Sequence, residues 1–506
     1  MRLRNSWSKV ASSDLAVLAL WATALVVLHT VTNGQYGFHR DELATVDDSR
    51  HLEWGYVAYP PVTPFLARVA FGLFGPSLVG LRFIAAVALG LVLILTGMMA
   101  RDLGGGRQAQ VVAALAAAIG GIAFSGGTLF QYVSFDYLCW VAAAYFMVHL
   151  LASDNPRWFL AVGAAIGLGM LTKYTMAFLA TAIAVGVVLT PARRYLRSPW
   201  LWSGVALAVV IFLPNLLWQI RHNFASLQFL QSIHTRDIRM GRTDRFVLDQ
   251  FWVATNPVTV PLWLAGLFYL FTAENKRYRA IGWMFVIAFG LFVMAKARPY
   301  YLAPGYPMLF AAGAVWGERW IGSLSPRRAF AVRRTIWGAF AIGALVDAAI
   351  VLPIAPLGSW WWRVADKANG GNFNEEIAWP ELVQTIARIR DSLPLEEQAR
   401  LGILVADSGQ AGAINLYGPE LKLPGAICGM NSHWYRGYGD PPPDTVIVVG
   451  MTHEFVQRTF ESCQIAGRIS NPSGIENSTI RNPEIFICRG LRQPWAQFWS
   501  GFRYYG

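Results

Sequence analysis

The sequence predicts an all-α polytopic membrane domain of about eleven helices over residues 1–355, followed by a small extracytoplasmic α/β domain over residues 356–506. Three observations lead there. Hydrophobic residues make up 55% of the 506 and charged residues only 14%, a composition for a multi-pass membrane protein rather than a soluble enzyme. The apolar runs are long and alternate with short basic loops. From about Pro356, Gly, Pro, Asn, Asp and Ser rise, and the periodicities of soluble elements appear.

The expected spans lie near 14–33, 78–100, 108–127, 132–151, 158–171, 175–190, 200–219, 252–272, 279–295, 301–320 and 335–353. The fifth and sixth, joined at Thr172-Lys173-Tyr174, read equally as one long broken helix. Arg2, Arg4 and Lys9 precede the first apolar run. That run is long for a signal peptide and no small-residue cleavage site follows, so it reads as a retained span with the N-terminus cytoplasmic. The inner loops then hold Arg101 and Arg107, Arg157, Arg193 with Arg194 and Arg197, Lys276 with Arg277 and Arg279, and Arg319 to Arg334. Each is basic and nearly free of acid, as positive-inside topology asks. An odd span count places the C-terminal domain outside.

The formal net charge of +12 therefore reports topology and attraction to anionic membrane lipid, and it argues against a nucleic-acid partner. Twenty-one Trp and eighteen Tyr suit aromatic belts at two interfaces.

In the C-terminal region, 378–392 and 454–462 read as helices, and 401–406 and 445–450 as buried strands, with a last strand near 485–488. Gly409, Gly412 and Gly418 lack the spacing of a phosphate-binding loop. Of four cysteines, Cys139 falls in an apolar run. If the C-terminal region faces an oxidising compartment, Cys463 and Cys488 can form a disulfide, leaving Cys428 over.

Chemistry concentrates in the first outer loop, residues 36–64, YGFHRDELATVDDSRHLEWGYVAYPPVTP. A charge at the bilayer centre costs about 2.5–3.5 kcal/mol, so His39, Arg40, Asp41 and Glu42 must lie at or beyond a membrane face. Tyr59-Pro60-Pro61 stiffens the return of the chain. The bland reading is a solvated loop; a rigid loop of carboxylates at an interface suits acid–base chemistry on a membrane-bound substrate.

Four further features fall on the same expected side. Asp136, in Ser134-Phe135-Asp136, begins a span; helix-dipole stabilisation alone would explain it. Lys173 interrupts two apolar stretches, where snorkelling would suffice for one lysine. Lys296, Arg298, Tyr300 and Tyr301 put two cations and two phenols into six residues, more than anchoring a helix end requires. Loop 220–251 carries His222, His234 and five arginines. Arg and Lys both match a phosphate, with a carboxylate near enough to deprotonate an attacking hydroxyl.

Assembled, these residues resemble the lipid-phosphate-sugar-dependent glycosyltransferases of the GT-C fold. The resemblance is to bacterial relatives of dolichyl-phosphate-mannose–protein mannosyltransferases and of the lipid A aminoarabinose transferase. It rests on RDE at 40–42 with HLEWGYVAYPPVTP at 51–64, SFD at 134–136, GLGMLTKY at 167–174, ARPYYLAPGYP at 297–307, and the run 413–450. It implies an inverting transfer at the outer face of a bacterial inner membrane. A monosaccharide would pass from a polyprenyl-phosphate-linked donor to a hydroxyl on a glycan, lipid or protein acceptor.

On that resemblance Asp41 is the general base, with Glu42 beside it and Asp136 assisting. Lys173, Lys296, Arg298, Tyr300 and Tyr301 receive the donor phosphate, and His39, Arg40 and Tyr59 complete the loop. In the aminoarabinose branch an acidic residue just before the prolines helps hold a metal. Here Tyr59 stands in that place, so the metal ligands are unknown and the need for a divalent cation stays open. The rival reading is a polytopic lipid or sugar transporter without transferase chemistry.

Overall fold

The computed structural model of the chain describes residues 2–469, 474–475, 477 and 482–506. By contacts it divides into two compact units. One comprises Met1–Asn33, Leu81–His222 and His234–Leu352; the other comprises Gly34–Gly80, Asn223–Ile233 and Pro353–Gly506. The first long loop thus groups with the C-terminal region.

The first unit is helical. Among the described residues, six helices are long and apolar enough to cross a membrane: Ser13–Thr32, Leu78–Asp102, Tyr132–Ser153, Pro199–Arg221, Ala273–Met294 and Pro326–Val351. Two bent pairs raise the number to eight. Arg107–Ala118 turns by 68° into Gly121–Thr128, and Met176–Val188 turns by 103° into Pro191–Arg197. The break in the first pair falls at Ile119-Gly120, where Gly120 is extended. In the second, Thr190 leaves the helix and caps a new turn opened by Pro191. Other expected spans appear as shorter apolar helices, Pro156–Met170 and Pro257–Phe271. The stretch around Lys173 is a turn between separate helices, Phe159–Met170 and Met176–Val188.

Small residues let these helices approach. A Cβ on Gly163 would lie 2.0 Å from the Gly204 carbonyl oxygen, and one on Gly313 would lie 1.9 Å from that of Leu262. Close backbone contact of this kind holds helices together where lipid supplies no hydrophobic drive. Helix Pro199–Arg221 turns Val205, Val209, Val210 and Leu213 outward, a face suited to acyl chains.

The second unit carries a five-stranded mixed sheet. Its strands are β1 (Leu401–Val405), β2 (Ala426–Cys428), β3 (Thr445–Val449), β4 (Phe460–Arg468) and β5 (Glu484–Leu491), in the order β2-β1-β3-β5-β4. The first three are parallel; β3–β5 and β5–β4 are antiparallel. β1 and β3 are buried along their whole length, which is why both read as continuous apolar runs. The helix expected at 454–462 ends at Thr459, and the chain turns there into β4. Buried Phe460 opens that strand, while the exposed residues after it mask its alternation. Opposed Cys463 and Cys488 on β4 and β5 form a disulfide, and Cys139 and Cys428 are free.

Within this unit the first loop is largely helical, with helices Arg40–Asp48 and Val62–Phe74. The helix after β1, Ser408–Tyr417, packs directly on Arg40–Asp48. A Cβ on Gly412 would lie 2.3 Å from the Leu43 carbonyl oxygen, and one on Gly409 would lie 2.8 Å from the Arg40 Cβ. Two of the three glycines rejected as a phosphate loop, Gly409 and Gly412, are there so that two helices can touch.

Candidate active site: two constellations

The first constellation lies in the second unit and is built on helix Arg40–Asp48. His39 is its N-cap. The Asp41 backbone N–H donates to His39 Nδ1 at 3.1 Å, and the His39 N–H donates to Glu42 Oε2 at 2.8 Å, so the two residues close a capping box. Burial holds the His39 imidazole below its ordinary pKa, and only the neutral ring can accept that hydrogen bond. Glu42 is fully buried in this structural task. Asp41 sits in the first helical turn, where the dipole favours its charge, and its side chain is 55% exposed. Arg40 Nε stands 3.5 Å from Asp41 Oδ1 and 3.9 Å from Glu375 Oε2. Of the two adjacent carboxylates, Asp41 is the exposed one.

Tyr59 is engaged with Asp48. Its hydroxyl donates to Asp48 Oδ2 at 2.6 Å. Burial and the Asp48 charge push the phenol well above its ordinary pKa, so it is a neutral donor. A neutral phenol committed to a carboxylate does not replace the acidic metal ligand of the aminoarabinose branch. The residues here do not fit a divalent ion held in that way.

The second constellation lies in the first unit. Lys173 occupies the turn between two helices, with Thr172 Oγ1 and the Lys173 N–H both donating to the Gly169 carbonyl at 2.6 and 2.8 Å. Its ammonium stands 3.7 Å from the ring centroid of Tyr301, 5.1 Å from that of Tyr300 and 5.3 Å from that of Tyr132. Lys173 is half-buried, and cation–π attraction in such a setting is worth about 1–2 kcal/mol. Asp136, buried in helix Tyr132–Ser153, lies within electrostatic reach of Lys173. Its Oδ1 makes no hydrogen bond among the described residues.

Arg298 is already engaged. Its Nε and Nη2 donate to the two oxygens of Asp237 at 2.6 and 2.8 Å, a bidentate pair, and Nη1 stands 3.5 Å from the Tyr300 hydroxyl. The Pro299 carbonyl accepts from Gln250, which also receives the Tyr306 hydroxyl, so the tyrosine-bearing turn is braced from beneath. Lys296 is exposed, in a left-handed backbone conformation with φ of 44°. His222 stacks on Trp218 at 3.9 Å, and His234 is exposed. Among the described residues no three His, Cys, Asp or Glu side chains group closely enough to hold a metal ion.

The structure therefore brings together Lys173, Tyr300, Tyr301 and, electrostatically, Asp136 and Arg298. It separately gathers His39, Arg40, Asp41 and Glu42. The sequence reading missed Tyr132, Asp237 and Gln250 in the first unit. In the second it missed the partners of Asp47 and Asp48. Asp47 Oδ2 meets His433 Nε2 at 2.8 Å, and its Oδ1 accepts from Asn415 at 2.9 Å. Arg436 bonds to both Asp47 and Asp48. Burial raises the Asp47 carboxyl, but the His433 bond, the His433 and Arg436 charges and the Asn415 amide outweigh it and hold the group well below the ordinary range.

A helical unit with membrane-length helices followed by a small C-terminal sheet is a fold this chain shares with solved membrane glycosyltransferases. Residues 58–218 match the family model of dolichyl-phosphate-mannose-protein mannosyltransferase. Lipid A galacturonosyltransferase RgtD of Rhizobium johnstonii is 27% identical over 214 residues, covering 40% of this chain and 44% of that protein. The chain thus spans under half the length of that relative.

ArnT from Cupriavidus metallidurans shares the fold in two crystal structures. Bound to undecaprenyl phosphate, it matches with a TM-score of 0.54 at 16% identity, over 92% of this chain and 97% of ArnT. In the apo state the TM-score is 0.55 at 16% identity, over 94% and 98%. Arabinofuranosyltransferase AftD from Mycobacteria matches with a TM-score of 0.51 at 15% identity, over 94% of this chain and 40% of AftD.

Proposed function

We propose that the protein is an integral-membrane inverting glycosyltransferase that moves a monosaccharide, hexosyl or pentosyl, from a polyprenyl-phosphate donor to an extracytoplasmic hydroxyl. The observation that carries this reading is the Lys173 ammonium among three tyrosine rings. A half-buried cation beside phenolic donors suits a phosphate that gains charge as a glycosidic bond breaks.

Asp41 accepts the acceptor's hydroxyl proton, and the freed oxygen attacks the anomeric carbon. The bond from that carbon to the phosphate oxygen breaks, and its electron pair leaves with polyprenyl phosphate. Lys173, with Tyr300 and Tyr301, meets the charge that develops there. Arg298, neutralised by Asp237, orients Tyr300, while exposed Lys296 adds a screened positive potential at the rim. Asp136 polarises Lys173 or orients the acceptor. The acceptor is a lipid, glycan or protein of the cell envelope. ArnT's binding of undecaprenyl phosphate and the transferase names of RgtD and AftD support this reading over a transporter.

The test is release of polyprenyl phosphate by purified protein from a panel of labelled polyprenyl-phosphate sugars, with a hydroxyl acceptor extract. Labelled product and free polyprenyl phosphate in equal amounts are expected. A panel that neither binds nor turns over sinks the proposal.

We further propose about eleven membrane crossings in the bacterial inner membrane, with residues 1–355 forming the membrane domain, the N-terminus cytoplasmic and residues 356–506 extracytoplasmic. The Cys463–Cys488 disulfide supports that side, since disulfides persist outside the cytoplasm. Protein denatured without reductant should therefore react with two maleimides, at Cys139 and Cys428. After reduction all four cysteines should react. Four reactive thiols before reduction would count against an extracytoplasmic domain.

A further inference from the structure

Helix Arg40–Asp48 presents a difficulty that its own sequence does not resolve. It is nine residues long, shorter than a helix that holds itself in water. It also ends in two buried carboxylates, Asp47 and Asp48, at the terminus where the helix dipole disfavours negative charge. Buried acids at that end are costly unless something answers them.

The answer comes from a segment nearly four hundred residues away in sequence. Arg436 spreads its two terminal nitrogens over Asp47 and Asp48, and His433 Nε2 meets Asp47 at 2.8 Å. Both residues belong to one short 3-10 turn, Asn431–Arg436. Its Ser432 hydroxyl also accepts from the Val57 N–H at 2.9 Å, further along the first loop. Arg50, just past the helix, donates to the Asn415 carbonyl.

We infer that His433 and Arg436 are positioning residues for Asp41, so that the C-terminal domain serves the transfer reaction as the mount of its general base. The inference rests on Asp41 being that base. Asp41 stands roughly 10 Å along the axis from Asp48. Arg436 bonds to two consecutive residues about 100° apart around the helix, so it fixes rotation as well as position. The capping box at one end, the glycine contacts along one side and the Arg436 fork at the other end leave the Asp41 carboxylate as the presented group.

The experiment uses the full chain in lipid nanodiscs. Polyprenyl phosphate binding counts competent sites, and turnover is expressed per competent site. Arg436→Gln should lower kcat per site by about tenfold to a hundredfold, the scale of a displaced catalytic group. KM and polyprenyl phosphate affinity should stay near wild type. Arg436→Lys should recover part of the loss, because an ammonium keeps the charge but not the fork. In an Asp41→Asn background, Arg436→Gln should cost nothing further, since there is no base left to misplace.

Unchanged kcat per site in Arg436→Gln would overturn the inference. So would an undiminished loss in the Asp41→Asn background. If Arg436→Gln protein binds no polyprenyl phosphate at all, His433→Leu decides by the same two readings. Full activity of Asp41→Asn alone would instead remove Asp41 as the base, a result distinguishable from failure of the mount.

Discussion

Asp41→Asn lowers sugar transfer by about 10²–10⁴-fold while polyprenyl phosphate binds as in wild type; this is the expected size of losing a positioned general base. The substitution keeps shape, and the amide still sits in the first helical turn, but it cannot take a proton. The geometry separates Asp41 from its neighbour. Glu42 is buried and accepts the His39 N–H, so Glu42→Gln should cost fold stability while leaving kcat per folded molecule within reach of wild type. Asp41 is half exposed, and the cap bond at its backbone nitrogen does not involve the carboxylate. The measurement is single-turnover transfer of label at saturating donor. An Asp41→Asn protein that turns over at the wild-type rate would move the base elsewhere, with Asp136 the next carboxylate to replace.

The fold was legible wherever burial is uniform. β1 and β3 read as strands because every residue in them is buried, and the amphipathic helix Trp379–Asp391 falls close to its expected bounds. β4 was not legible at its start. It lies at the sheet edge with most of its side chains exposed, so neither an apolar run nor a clean alternation marks the passage from helix to strand at Thr459. Span count was limited by bends, since hydropathy sums along the chain and does not see a 68° or 103° turn.

At the site, local chemistry showed which residues are charged but not which charges are already answered. Asp237 lies 61 residues from Arg298, and nothing in either neighbourhood announces the bidentate pair. Asp47 and His433 are 386 residues apart. The one available signal was the Asp-Asp pair closing a short helix, an electrostatically poor place for two acids unless a cation covers them.

Lys173→Gln should lower kcat by about 10²–10³-fold, the scale seen when one preorganised stabiliser of developing charge is removed. The argument is desolvation. An ammonium half-buried among three aromatic rings has exchanged part of its water for quadrupoles, so a phosphate oxygen arriving there meets a charge that solvent screens less than an exposed one. Because the phosphate gains charge as the glycosidic bond breaks, the contact strengthens toward the transition state, and kcat should fall more than donor affinity. Lys173→Arg should not restore the rate. The planar guanidinium is larger than the ammonium held 3.7 Å from the Tyr301 ring, and it would stack on that ring rather than point past it. Lys296→Gln is the comparison. Its charge is exposed and screened, so its effect should be smaller and should shrink as salt is added, while the Lys173 effect persists. Transfer rates at low and high ionic strength for the three variants separate these outcomes. A Lys173→Gln enzyme with wild-type kcat would leave the tyrosine cage a structural feature and send the search for the phosphate site to the basic residues of loop 220–251.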